Sequence, residues 1–211
     1  MCKSKFLLIL FCLLICQQRI FAQQVTLSEE DKAELQIRVK QKIEDFQMHL
    51  GTIASKAGIS DASKDAATAS ALELFIGQGK SYEYIDDYGN RKIHEPVKMQ
   101  TSGYGGRKYP PKPMTRYLKN LRNLTYTKVV IEAADAVRVD NIYETQDGKY
   151  EAIAYFCQNF CGYRDGKLVY NSVDEKKVKI YVEKETIPTP SGTDQVIWQV
   201  LLGDIYVVNT Y

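Results

Sequence analysis

From Leu35 onward, apolar side chains recur at spacings of four, four, three, four, three and four, through Val39, Ile43, Phe46, Leu50 and Ile53 to Ala57. A period of 3.6 residues puts all seven on one face, which predicts an amphipathic helix of about eight turns. Thr26 and Ser28 precede Glu29, Glu30 and Asp31, the pattern of an N-cap with acids in the first turn. Gly58 is the expected stop. A second helix is expected from Ser60 and Asp61 through an alanine-rich run to Leu72, Phe75 and Ile76, ended by Gly77 and Gly79.

From Ser81 the period falls to two. SYEYIDD (81–87) and RKIHEPVKM (91–99) flank Tyr88-Gly89-Asn90 and predict a hairpin. A glycine- and proline-rich loop (101–113) follows, and helical spacing returns through Tyr117, Leu118, Leu121 and Leu124. Residues 126–145 read as one strand kinked near Ala133–Asp135, or as two short ones. After Asp147-Gly148 come the strand 149–163, the Asp165-Gly166 turn, the strand 167–185, a loop (IPTPSGTD) and the last strand 195–211. Gly203 inside that last strand predicts a bulge.

The first two dozen residues change how the composition is read. Lys3 and Lys5 precede an unbroken apolar run, Phe6–Cys16, of 11 residues, far short of the roughly 20 needed to cross a bilayer. With Ala22 just before Gln23, residues 1–22 read as a signal peptide and 23–211 as one exported domain. Cys16 at the end of the run also admits a lipid anchor, but Ile15 stands where such a site wants a small residue. Removing the leader's Lys3, Lys5 and Arg19 from the 28 basic residues leaves 25 against 26 acidic. The mature net charge is −1, with no basic field to draw nucleic acid or an anionic membrane. The leader also takes Cys2, Cys12 and Cys16 with it, so only Cys157 and Cys161 enter a compartment that permits disulfides.

Helices at the start and strands at the end mean an α+β fold. The stripe Leu35–Ala57, the short helix between two sheet segments, and the strands YEAIAYFCQNFCGY, VKIYVEKE and VIWQVLLGDIYVV together resemble the nuclear transport factor two-like superfamily. That resemblance implies N-terminal helices held in a strongly curved antiparallel sheet, a cone with a cavity. The superfamily includes isomerases and dehydratases as well as members that only bind, so fold does not decide function.

The candidate chemistry is sparse. In a regular strand Cys157 and Cys161 share a face with Cα atoms about 13 Å apart, whereas a disulfide needs about 4.4–6.8 Å. Unbridged thiols are expected; only a bulge at Asn159 would bring them together. A zinc site would need ligands beyond the two histidines, His49 and His94, so no metal and no cofactor is expected. His94 and Glu95 are strand neighbours and face opposite sides. Asp135 and Asp140 are the acids that a cavity enzyme would use, but Arg138 lies two residues from Asp140 on the same face, which reads as an exposed ion pair. No nucleophile elbow or phosphate-cradling glycine motif occurs.

Tyrosine is the most telling component, with 15 in the chain. Tyr155, Cys157, Tyr181, Trp198 and Tyr206 fall in the last strands, where amphipathic rings line pockets. The expectation is an exported binding domain for a small envelope ligand or an envelope protein. The rival is a cavity acid/base enzyme using Asp140 and a tyrosine, and the exposed sheet face leaves a homodimer open.

Overall fold

The computed structural model describes residues 26–86, 88–146, 149–189 and 194–211. The leader with its cleavage point, Cys16, the Asp147-Gly148 turn and residues 190–193 of the last loop lie outside the described residues. The chain divides into two units, Met1–Asp31 and Lys32–Tyr211. In the first, the backbone N–H of Ser28 donates to Asp31 Oδ2 at 2.9 Å, and the Asp31 N–H donates back to Ser28 Oγ at 3.1 Å. This reciprocal box opens helix α1, Glu29–Ala54, with the expected acids in its first turn.

Leu35, Val39, Ile43, Phe46, Leu50 and Ile53 are at most 2% exposed. Ala57 departs from the expected stripe: it is exposed and lies beyond the helix. The reason is local. Ser55 Oγ donates to the Ala57 carbonyl at 3.1 Å, a bond that competes with another helical turn. Helix α2, Asp61–Glu73, starts at Ser60, whose Oγ accepts from the Ser63 N–H at 3.1 Å. Helix α3, Met114–Arg122, buries Met114, Leu118 and Leu121, and its Arg122 ion-pairs with Asp61 and Asp65 of α2.

The hairpin forms as expected, β1 (Tyr82–Ile85) antiparallel to β2 (Arg91–His94), as a small sheet of its own. The large sheet comprises β3 (Lys98–Met99), β4 (Lys112–Pro113), β5 (Lys128–Ala133), β6 (Arg138–Val139), β7 (Tyr143–Glu144), β8 (Tyr150–Arg164), β9 (Lys167–Pro188) and β10 (Asp194–Thr210). Its order is β4-β3-β10-β9-β8-β5, with β6 and β7 also on β8. The fold is α+β as expected, but the large sheet is mixed rather than antiparallel throughout, because β3 runs parallel to β10. The region 126–145 is three strand segments rather than one or two. Between Ala133↔Gln158 and Arg138↔Tyr155 it advances five residues while β8 advances three, so the ladder must break. β9 continues through Ile187 and Pro188, the first two residues of the expected loop. The bulge expected at Gly203 is present as a register shift between Leu202 and Ile205.

The sheet has two unlike faces. β8 alternates buried and half-buried side chains without a break from Tyr150 to Gln158, as a strand covered on one side must. On the covered face Ala152, Ala154, Phe156, Val178, Ile180, Val200 and Leu202 are at most 2% exposed. Helix α1 lies on this side: Arg38 donates to the Trp198 carbonyl at 3.3 Å, and the α1 residue Phe46 meets Phe75 edge to face at 5.0 Å. The other face carries Ile153, Tyr155, Cys157, Lys177, Lys179 and Tyr181, none of them buried.

Candidate functional site

On that second face the β1–β2 hairpin and the long strands enclose a half-open groove of about 770 Å³, within the range of small-ligand sites. Two glycines position its floor. Gly77 has a φ of 71°, and a Cβ there would come within 2.8 Å of Tyr82 Cδ1. Gly203 occupies the β10 bulge, where a Cβ would fall 2.6 Å from Tyr181 Cε2. Each glycine leaves room for one tyrosine ring, and the two hydroxyls meet at 3.4 Å, Tyr82 donating to Tyr181. Residues 99 positions apart in the chain are thereby joined across the groove.

His94 stacks on Tyr82, its cross-strand partner, with ring centroids 4.9 Å apart. Its Nδ1 lies 2.6 Å from the Glu95 carbonyl oxygen. Lys179 sits 4.8 Å from the centroid of the Tyr181 ring and 2.8 Å from Glu151. Asp204 accepts from the Lys98 N–H at 2.8 Å and from the Tyr206 hydroxyl at 3.1 Å. Burial is the main cause that raises the pKa of Tyr82, Tyr181 and Tyr206 above the ordinary phenol value. Phenols are neutral at pH 7 in any case, so the three hydroxyls serve as neutral donors and acceptors, and the shift extends that state to higher pH.

Of the five candidates named from sequence, Tyr181 and Tyr206 line the groove. Tyr155 shares the open face but lies outside the groove, beneath the Arg138 guanidinium at 4.2 Å. Cys157 sits farther along the same strand, opposite Glu175. Trp198 belongs to the covered face, where it meets Tyr150 edge to face at 5.4 Å. Cys157 and Cys161 are both free thiols, and the Cys161 S–H donates to Asn171 Oδ1 at 3.3 Å. Asp140 pairs with Arg138 at 3.8 Å, with both side chains well exposed and outside the groove, and Asp135 accepts from the N–H of its own neighbour Ala136. Among the described residues no group of three or more His, Cys, Asp or Glu is placed to hold a metal ion, and no helix is long and apolar enough to cross a membrane.

Sequence reasoning missed Tyr82, Tyr84, Glu151 and Asp204 as groove residues. The available signal was the hairpin: its alternation places Tyr82 and Tyr84 on one face with His94.

The covered face holds a second polar arrangement that the sequence did not suggest. Lys176 and Asp174 are 2% and 6% exposed and lie 3.7 Å apart. Lys176 also donates to Gln158 Oε1 at 2.7 Å, while Asp174 accepts from Ser102 at 2.6 Å and Thr210 at 2.8 Å. The charges are thus paired and bonded, as burial requires.

No family model, curated protein or solved structure matches the chain.

Proposed function

We propose that this is an exported, non-catalytic binding domain whose ligand lies in the groove between the β1–β2 hairpin and the open face of the sheet. The observation that carries the reading is the Tyr82–Tyr181 pair, each ring laid against a glycine and the two hydroxyls joined. Such an arrangement fixes hydroxyl donors and acceptors in advance of the ligand, which lowers the entropic cost of binding. The large sheet would curl around α1 in the manner of the nuclear transport factor two-like cone.

Chemical-shift perturbation of the mature chain by a library of small polar compounds tests the binding role. Shifts are expected to gather on Tyr82, Tyr181 and Tyr206, with Tyr155 and Tyr126 unmoved and no compound consumed. Shifts scattered over the molecule, or turnover of a compound, would overturn it. Export is tested by N-terminal sequencing of the secreted protein, which should begin at Gln23. A lipidated Cys16 would refute soluble release.

A further inference from the structure

The lining of the groove narrows the class of ligand, on the premise that the groove is a binding site at all. Six tyrosines but only four aliphatic residues are among its 21 lining residues, too little aliphatic surface to hold an acyl chain. Five carboxylates, Glu183 and Asp204 among them, face three lysines, a balance that opposes phosphate, sulfate or other anions. A cation would find the carboxylates attractive. However, the Lys179 ammonium already stands over the Tyr181 ring, the face a cationic ligand would use, and Lys177 lies beside it in the lining.

We infer that the groove takes a neutral, polyhydroxylated chain, a short oligosaccharide of pyranose rings. Three features match that chemistry. Tyrosine rings such as the half-buried Tyr84 offer flat apolar faces to the C–H face of a sugar, and their hydroxyls exchange hydrogen bonds with it. The Glu183 carboxylate, which has no ion-pair partner among the described residues, can accept two neighbouring sugar hydroxyls in charge-assisted bonds. The half-open form and volume of about 770 Å³ admit a chain of several rings entering from the side.

The test is isothermal titration of the mature protein with cellohexaose, maltohexaose and chitohexaose, beside a heparin hexasaccharide, laurate and trilysine. At least one neutral hexaose should bind. Its affinity should fall about tenfold in both Tyr84→Ala and Glu183→Gln, the weight of one lost stacking or charge-assisted contact. Asp140→Asn, outside the groove, should leave affinity unchanged, and melting temperatures should show that the variants fold. If only heparin, laurate or trilysine binds, and Tyr84→Ala weakens that binding, the sugar assignment is wrong while the groove remains a site. Binding that Tyr84→Ala does not alter overturns the sugar assignment and places the contact elsewhere. If none of the six probes binds, both readings fall.

Discussion

Tyr181 lies across Gly203 of the neighbouring strand so closely that a Cβ at position 203 would stand 2.6 Å from Tyr181 Cε2 and 3.2 Å from the Lys179 carbonyl oxygen. The second contact is with backbone, which cannot swing aside as a side chain can. Gly203→Ala is therefore expected to displace the ring, break its bond to Tyr82 and destabilise the fold by about 1–3 kcal/mol. Denaturant titration measures the loss, and the Tyr82 and Tyr181 ring signals report the displacement. Unchanged stability together with unchanged ring signals would show that the close approach does not constrain the groove.

Leu50 is fully buried on α1, between Phe46 and Ile53 on the same stripe. Leu50→Asp puts a carboxylate there with no built partner, and a loss of more than about 3 kcal/mol is expected. A melting temperature within a few degrees of wild type would mean that α1 does not belong to the core.

The period-3.6 stripe and the period-two strands were legible because each depends only on neighbours a few positions away. Leu35–Ile53 and the β8–β9–β10 meander accordingly stand where the pattern puts them, and Ala57 fails because a single serine side chain ends the helix early. The groove depends on contacts between distant segments. Nothing in SYEYIDD announces that Tyr82 will meet Tyr181, so the tyrosines could be counted but not paired. Asp174 and Lys176 are in phase with Val178, Ile180 and Val182. In VDEKKVK, however, the high charge density reads as a solvated face.

Burial holds the pKa of Lys176 down, to about 8 from an ordinary 10.5, with Asp174 opposing the shift. Below pH 8 both folded and unfolded chains carry the proton. Between about 8 and 10.5 the unfolded chain binds a proton that the folded chain has lost, so stability contributed by this group rises with pH. The slope is at most about 1.4 kcal/mol per pH unit. Urea unfolding of wild type and Lys176→Met between pH 7.5 and 9.5, below the bulk of tyrosine titration, isolates the effect. Wild type should gain on the variant as pH rises. A difference that stays flat across the window would show that Lys176 keeps an ordinary pKa.

Cys157 and Cys161 lie on one regular stretch of β8, paired with Glu175 and Asn171 of β9 without a register shift between them. The strand rise of about 3.3 Å per residue separates their Cα atoms by about 13 Å, beyond disulfide reach. The two thiols also differ. Burial first, then the charges of Glu175 and Asp135, raise the pKa of Cys157 and deplete its reactive thiolate. Cys161 instead directs its S–H to Asn171 Oδ1. Alkylation of the unreduced, unfolded mature protein should add two groups by mass. In the native protein at pH 8, Cys157 should react more slowly than an unhindered thiol of ordinary pKa. A mass two hydrogens lower with no alkyl group would mean a bridge, and with it a bend at Asn159 that the continuous β8–β9 register does not contain.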